Sequence, residues 1–590
     1  MRHAATARAL AREAPQRSRR AVENIDIARI FDEIGDLLEI QGENPFRVRA
    51  YRTAARTIQT LAVPAGSLAS EQRLDELPGI GSDLAEKIST ILETGTLPLL
   101  QELTAKTPEG LVAMLRIPGL GPKRAKLIYD TLGIETVDAL EAAARSGRLG
   151  ELRGIKETTT RKILQGIADL RGHAGRWRLA DADAYLQPLL AHLKHSPAVK
   201  RIDVAGSYRR RKETVGDIDI LIVSSRPRTV VKRFVEYPRV KQVQAEGPTR
   251  SSVTLDCGLQ VDLRVVPAAS FGSALHYFTG SKSHNIAVRA LALKRGLKIN
   301  EYGVFKGTRR IGGRTEEEVF RAVRLPWIPP ELREARGEIE AAQKGTVPAL
   351  IELSDIRGDL QVHTTYTDGA NDLVEMVEAA RMRRYAYVAI TDHTKAVRVA
   401  GGLTGSQFHR QFKEIDRLQK RFSDITILKG AEVDILVDGT LDLDDATLAE
   451  LDIVIAAVHS KFNLSRSAMT KRIIRALRHR HVQILAHPTG RLIGRREPYP
   501  LDFDEIIKAA ADHGVALEIN AQPERLDLDE VQARAAHEAG VRLVISTDAH
   551  RVEELNYMRC GVDQARRAWC EAHHVLNTLP LVELRAALRR

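Results

Sequence analysis

Two aspartates set the first chemistry. Asp217 and Asp219 stand two residues apart at the start of an apolar run, Asp217-Ile218-Asp219-Ile220-Leu221-Ile222-Val223. Side chains alternate across a strand, so both carboxylates face one way while Ile218 and Ile220 face the other. Two carboxylates on one face suit a divalent cation. Just upstream, Gly206-Ser207 opens the basic segment Arg209-Arg210-Arg211-Lys212. Gly206 lets backbone amides approach a phosphate, and Ser207 at a helix start adds a donor where the helix dipole favours anions. Metal and phosphate held this close together point to transfer of a nucleotidyl group. A third carboxylate, Asp262, lies between Val261 and Leu263 in another strand-like run and could come alongside the pair.

A second set of chemistry-bearing residues fills the rear of the chain. Apolar runs there end on metal-friendly side chains: Tyr387 to Ile390 before Asp392-His393, Ile425 to Leu428 before Glu432, Ile453 to Val458 before His459, Ile484 to Ala486 before His487, and Val541 to Ile545 before Asp548 and His550. A barrel with its site at the carboxyl ends of the strands requires this pattern. Upstream, Asp359, Gln361 and His363 alternate so as to share a face, with Asp368 shortly after. Histidine mixed with carboxylate suits Mn²⁺, Zn²⁺ or Fe²⁺.

The elements that position these groups are constrained by composition. A chain of 590 residues suggests about three to five domains. No apolar run reaches the length of a membrane span, and three scattered cysteines, Cys257, Cys560 and Cys570, form no disulfide framework. A reducing, cytoplasmic setting without membrane partners is expected. The formal charge of +12 favours polyanionic partners. Residues 1–20 read as a basic disordered tail outside the fold.

Residues 21 to about 103 are helical in pattern, with Ile27, Ile30, Phe31, Ile34, Leu37 and Leu38 at spacings of three and four. Asn44-Pro45-Phe46 interrupts the pattern before a basic helix. Three related turns follow: Leu77-Pro78-Gly79-Ile80-Gly81, Ile117-Pro118-Gly119-Leu120-Gly121, and the looser Leu152-Arg153-Gly154-Ile155-Lys156. An apolar residue, a Gly turn and a following helix make a helix-hairpin-helix unit whose free amides hold a DNA backbone. Gly79, Gly81, Gly119, Gly121 and Lys123 are the expected DNA contacts, while Lys156 stands where a second Gly is needed. Strands are predicted at Arg201–Val204, Ile218–Val223, Val253–Leu255 and Val261–Val266. Tyr277-Phe278, close to Gly280, offers an aromatic wall for a sugar, and Asn285 and Arg289 share a helix face.

Taken in order, the two hairpins, Gly206-Ser207 with Asp217-Ile218-Asp219, the later Asp262, and Tyr277-Phe278-Thr279-Gly280-Ser281 with Asn285 and Arg289 resemble the family X DNA polymerases over about residues 22–335. The resemblance implies Asp217, Asp219 and Asp262 as a Mg²⁺-binding catalytic triad. It implies Gly206, Ser207, Arg210 and Gly216 at the triphosphate, Tyr277, Phe278 and Gly280 at the incoming sugar, Asn285 at the base and Arg289 at the template. Arg209, Arg211 and Lys212 are left as solvated charge. A deoxyribose-phosphate lyase is also implied, with Lys87 as its Schiff-base amine, although Asp83 stands where the family has a supporting lysine.

Residues 355–575 resemble the polymerase and histidinol phosphatase, or PHP, domain. That likeness implies His363, Asp368, His393, Glu432, His459, His487, Asp548 and His550 as ligands of up to three Mn²⁺ or Zn²⁺ ions. One departure stands out: Gln361 occupies a position where many such domains have a histidine, and an amide oxygen is a poorer ligand than imidazole.

The expected organisation is a multidomain α and α/β chain. A lyase-like helical domain covers 21–102, a helix-hairpin-helix fingers-like domain 103–174, and a nucleotidyltransferase palm 175–270. A thumb-like domain (271–335), a linker (336–354) and a distorted β/α PHP barrel (355–590) complete it. The expected function is gap-filling DNA synthesis from dNTPs on gapped or primed duplex, by a monomer, with a PHP 3′-5′ exonuclease that could also cut at abasic sites. The alternative is a repair polymerase whose PHP part is structural or hydrolyses pyrophosphate or a small phosphoester.

Overall fold

The structure is a computed structural model that describes residues 24–589 apart from 60, 62–64, 108–110, 112–113, 115–116, 118–119, 153–154, 156–158, 162, 165–166 and 168–175. The basic tail, Gly119, Arg153, Gly154 and Lys156 lie outside the described residues, as does the side chain of Lys123. The chain divides into two compact units, residues 1–107 and 108–590.

In the first unit the helix Asn24–Ile40 buries Ile27, Ile30, Phe31, Ile34, Leu37 and Leu38, the stripe its spacing predicts. Asn44 Oδ1 accepts from the Phe46 amide at 2.9 Å, and Pro45, with φ fixed and no amide to satisfy, opens the helix Pro45–Gln59. The first hairpin follows. Gly79 has φ +74°, and a Cβ there would meet Thr53 Cγ2 at 2.6 Å, so both conformation and space demand glycine. The Ile80 amide donates to Leu77 O at 3.0 Å, and Gly81 leads into the helix Ser82–Thr94.

The second unit opens with two more hairpins closed by the same bond. Leu120 N donates to Ile117 O at 3.0 Å and Ile155 N to Leu152 O at 3.0 Å. Gly121 leads into the helix Pro122–Leu132. Strands β1 (Trp177–Arg178) and β3 (Thr214–Val215) then pair as a short ribbon. Around it β2 (Arg201–Val204), β4 (Asp217–Val223), β5 (Val240–Glu246), β6 (Arg250–Leu255) and β7 (Gln260–Val266) form a mixed sheet in the order β2-β4-β7-β6-β5. All of the predicted strands are present. The edge strand β5 was not expected, because its Val-Lys-Gln-Val-Gln-Ala-Glu sequence is mostly exposed and carries no buried face to read.

The helices Phe271–Thr279 and Lys282–Leu293 lead to a three-stranded meander, β8 (Leu297–Asn300), β9 (Gly303–Lys306) and β10 (Arg309–Gly312). The stretch 336–354 is itself folded: its helix Glu338–Lys344 packs Ile339 and Ala342 into the core under the meander, and Glu338 Oε1 lies 2.8 Å from His284 Nδ1.

The rear half is a seven-stranded parallel barrel in chain order: β11 (Gly358–Val362), β12 (Tyr387–Ile390), β13 (Thr426–Asp434), β14 (Ile453–Ala457), β15 (Ile484–Leu485), β16 (Ala516–Asn520) and β17 (Leu543–Ser546). The His363 amide donates to Ala549 O at 2.8 Å, so the chain leaving β17 meets the end of β11 and nearly closes the ring. Alternate residues, among them Tyr387, Ala389, Leu428, Ile453 and Ile455, pack inside with Leu584 and Leu588 of the C-terminal helix. The others face the surrounding helices. The segment before that helix bonds the amino end of the barrel, where Asn577 Nδ2 donates to Gly358 O and Ile545 O.

One buried ion network holds the region around the meander. Glu316 is 5% exposed, and its carboxylate accepts from Arg333 at 2.6 Å, Arg209 at 2.7 Å and Trp327 Nε1 at 3.0 Å. Burial would raise its pKa, but Arg333 and Arg209 hold it well below the ordinary carboxylate range. Glu316→Gln leaves two guanidinium groups against a neutral amide and is expected to cost about 3 kcal/mol in guanidinium unfolding. Because the folded pKa is depressed, this contribution is present above the unfolded value near pH ~4.3 and is lost as pH falls below it; the variant's deficit should shrink in acid.

Candidate active sites

Strands β4 and β7 run parallel in a register that sets Asp219 directly opposite Asp262. Ile218 and Ile220 fill the core below, so Asp217 and Asp219 emerge on the other face. The three carboxylates are brought together. Asp217 is exposed, Asp219 half-buried and Asp262 buried, where its Oδ1 accepts from Ser252 Oγ. Burial, and then the charges of Asp217 and Asp262, push Asp219 up to about 7, against the pull of Arg264 and Arg250. A bound cation would favour the ionised form of Asp219.

Gly206 packs directly onto that cluster. It has φ +66°, and a Cβ would come within 2.9 Å of Asp219 Oδ2. The short helix Gly206–Arg209 follows, and Ser207 and Arg210 line a cleft of about 420 Å³ with Arg176, Lys212, Glu213, Thr214, Glu530 and Arg567. Gly216 lies where a Cβ would meet Arg176 Nη1 at 3.5 Å. The arginines beside Arg210 are not solvated charge. Arg209 is bound to Glu316, and Arg211 Nε lies 3.5 Å from Asp563, 352 positions along the chain. Arg210 itself donates to Glu334 at 2.9 Å and to the carbonyl of Thr279.

Tyr277 and Phe278 end the helix Phe271–Thr279, with Tyr277 37% exposed and the Arg264 guanidinium 4.3 Å from the Phe278 ring centre. Asn285 Nδ2 donates to Tyr277 O at 2.7 Å, tying the next helix to this wall, and Arg289 is exposed on that helix. Gly280, at φ +66°, sits where a Cβ would touch Arg210 Nη1 at 3.4 Å. Arg264 and Ser252 escaped the reading of the sequence. Arg264 stands two residues after Asp262 on the same face of β7, so strand alternation was the available signal. In the first unit, Lys87 Nζ is paired with Asp83 Oδ1, a carboxylate in place of a second cation.

At the carboxyl ends of the barrel strands the eight expected ligands cluster, and four imidazoles meet Glu432. Its Oε1 lies 2.9 Å from His487 Nε2 and 3.2 Å from His459 Nε2, and its Oε2 lies 3.0 Å from His393 Nδ1 and 3.5 Å from His363 Nε2. Asp548 approaches His363 Nε2 at 3.1 Å, while Asp368 lies 3.4 Å from His550 Nε2 and 3.6 Å from His393 Nε2. Among the described residues, three groups at this mouth have metal-binding spacing: His363, Asp368, His393 and His550; His393, Glu432 and His459; and His363, Glu432 and Asp548. Two ring nitrogens here, His363 Nδ1 and His487 Nδ1, are buried without a hydrogen-bond partner among the described residues. Such orphaned donors fit bound cations. Burial works against a charge on His459 and His550, yet neighbouring carboxylates, Glu432 and Asp434 for one and Asp368 and Asp548 for the other, raise each to about 10.

Other residues hold the ligands in place. Asp434 Oδ1 lies 3.2 Å from His459 Nδ1, Asn520 Nδ2 donates to Asp548 Oδ2 at 3.0 Å, and Glu518 accepts from the His487 amide at 2.6 Å. Burial, and then Asp548, raise Glu518 well above the ordinary range. Glu518 and Asn520 come from β16, a strand not predicted because an acid inside Ala-Leu-Glu-Ile-Asn reads as a solvated face. Asp392, expected among the metal-friendly strand ends, instead accepts from Thr364, Thr367 and Gln411 and fixes the loop after β11.

Family models match five segments of the chain between residues 22 and 522. The Helix-hairpin-helix domain covers residues 22–97, the SAM-like Helix-hairpin-helix tandem 111–169, the DNA polymerase beta palm 182–247, the DNA polymerase beta thumb 274–334 and the PHP domain 359–522. A protein of Bacillus subtilis (strain 168) named DNA polymerase/3′-5′ exonuclease PolX is 41% identical over 571 residues, 96% of this chain and 99% of the relative. The chain belongs to the family X DNA polymerases that carry a PHP domain. DNA polymerase lambda of Rattus norvegicus is 24% identical over 53% of this chain and 56% of its own length. A Thermoanaerobacter sp. (strain X514) protein named "Probable phosphatase" is 28% identical over 37% of this chain and 89% of its own.

Within this PHP domain the first motif departs from simple alternation. Asp359 pairs with Val388 but Val362 with Ile390, so β11 carries one extra residue, a bulge. Leu360 consequently packs inside the barrel and Val362 among the helices, and Asp359 does not share the face of Gln361 and His363. Asp359 accepts from Thr547 instead, and burial pushes it up to about 6. Gln361 is fully buried, and both its amide atoms are unpaired among the described residues. Gln361→His should therefore tighten Mn²⁺ binding by about tenfold in equilibrium dialysis, since imidazole is the stronger ligand; unchanged affinity would place Gln361 outside the coordination sphere.

Proposed function

We propose that this chain fills short gaps in DNA during repair, adding dNTPs to a primer end as a monomer, and that its PHP domain degrades DNA as a metal-dependent 3′-5′ exonuclease. The carrying observation is the parallel register that puts Asp219 opposite Asp262 beside the Gly206 loop. Asp217, Asp219 and Asp262 are read as the catalytic carboxylates and as ligands for Mg²⁺. Divalent cations bound there would neutralise the charge that builds on the attacking and leaving oxygens of an in-line displacement.

The remaining groups orient the substrate. Gly206, Ser207, Arg210 and Gly216 hold the triphosphate, Tyr277, Phe278 and Gly280 lie against the sugar, Asn285 senses the base, and Arg289 touches the template. The hairpin glycines Gly79, Gly81, Gly119 and Gly121, with Lys123, grip backbone phosphate without reading sequence, which lets the same contacts serve any gap. On this reading the domains divide near residues 102, 174, 270, 335 and 355.

In the barrel, His363, Asp368, His393, Glu432, His459, His487, Asp548 and His550 would hold up to three ions, Mn²⁺ or Zn²⁺ by donor type. Asp434 and Glu518 orient His459 and the His487 backbone, so the ligand geometry is fixed before metal binds. The 41% identity with PolX, named as both polymerase and 3′-5′ exonuclease, supports pairing the two activities.

The test uses one gapped duplex with Mg²⁺ and with Mn²⁺. The Asp217→Ala, Asp219→Ala double variant should lose extension by a factor of 10³ or more, about 4 kcal/mol, and keep Mn²⁺-dependent degradation. His487→Ala should do the reverse. Retained extension in the first variant would remove the site assignment, and degradation surviving in the second would remove His487 from the nuclease.

A further inference from the structure

The loop that begins at Gly206 is held from behind by the PHP part of the chain. Arg567 ends the helix Met558–Arg567, which follows the last barrel strand, and its side chain is 1% exposed. Its Nη1 donates to the carbonyl of Arg210 at 2.6 Å and to Glu334 Oε1 at 3.2 Å, and its Nη2 donates to Glu530 Oε1 at 2.8 Å. Its Nε is buried with no hydrogen-bond partner among the described residues. The Glu334 oxygen that Arg567 reaches also accepts from Arg210 Nε, so two guanidinium groups share one carboxylate. The neighbours of Arg210 are tethered to the same part of the chain: Arg211 faces Asp563, and Glu213 accepts from Arg491 at 2.6 Å.

Residues 210 to 213 thus carry anchors at three points, all from the barrel half. A guanidinium is a rigid planar fork, so fixing one of its acceptors fixes the angle of the others. Leaving such a buried cation unpaired is strongly unfavourable, which commits Arg567 to these three partners.

We infer that Arg567 is a positioning residue for nucleotide addition. It sets the backbone at Arg210 directly and the direction of the Arg210 guanidinium through the shared Glu334. The inference rests on the reading of Asp217, Asp219 and Asp262 as the synthesis site. It gives the PHP part a role in synthesis that is separate from its metal ligands: dNTP binding depends on a helix behind the barrel, not on hydrolysis at its mouth.

The test is single-nucleotide insertion into a gapped duplex by the full chain, with KM and kcat for dNTP measured for wild type, Arg567→Met and Arg567→Lys. Mn²⁺-dependent degradation of single-stranded DNA and the melting temperature are measured on the same preparations. Arg567→Met should raise KM by about tenfold with kcat within about threefold and degradation unchanged. Arg567→Lys keeps the charge but cannot span all three acceptors, and should raise KM by about threefold. If the methionine variant does not fold, the lysine variant alone decides: a KM within error of wild type overturns the inference. So does an unchanged KM in a folded Arg567→Met protein, or a loss of synthesis, nuclease and melting temperature together, which would mark Arg567 as a structural bolt. A wild-type chain that inserts no nucleotide, or an Asp217→Ala variant that still does, refutes the reading of the synthesis site instead.

Discussion

Carboxylates held close enough together to need compensating charge are the constraint on which both halves of this chain are built. In the palm sheet, hydrogen-bonded register alone forces Asp219 against Asp262, with Asp217 beside them. In the barrel, Glu432 is 1% exposed and meets four imidazoles, while Asp368 faces His550 and His393 and Asp548 faces His363. Neither arrangement would persist for stability alone: the palm sets like charges together, and the barrel buries ionisable groups at a desolvation cost. The protonation pattern expresses the same incompleteness: Asp219 moves up to about 7, and His459 and His550 take up protons at the barrel mouth.

The scaffolds meet this constraint differently. The palm places its acids on one face of adjacent strands and uses the opposite face, Ile218 and Ile220, as core. The barrel uses strand ends, with an apolar interior closed at the other end by the C-terminal helix. Separating rigid core from reactive rim leaves each site free to carry charge without weakening the packing that holds it. Between them runs a set of arginines, half-buried Arg209 and buried Arg333 and Arg567, each hydrogen-bonded to a carboxylate or carbonyl of another element. These contacts join palm, meander and barrel within the second unit.

Much of this was legible in the residues. The strands carrying Asp217, Asp219 and Asp262, the hairpin turns, and the strand ends bearing His363, His393, His459, His487 and His550 follow from alternation, turn chemistry and apolar runs, which are local. What escaped is non-local or breaks a local rule. The bulge in β11 shifts Asp359 off the expected face, and no pattern in Gly-Asp-Leu-Gln-Val announces it. Glu518 and Asn520 sit in a buried strand whose polar residues resemble a solvated edge. Asp392 looks like a ligand but accepts hydrogen bonds from threonines and Gln411. The partners of Arg209, Arg211 and Arg567 lie so far along the chain that a basic run read alone suggests only solvent.

The central claim is that two separate sites each require cations to balance their own carboxylates. Titration of the full chain with Mn²⁺, following free ion by electron paramagnetic resonance, tests it most directly when wild type is compared with the Asp217→Ala, Asp219→Ala double variant and with Glu432→Gln. Two independent classes of bound ion are predicted, with each variant losing its own class and keeping the other. A wild type with a single class, or a variant at one site that empties both, would contradict the account.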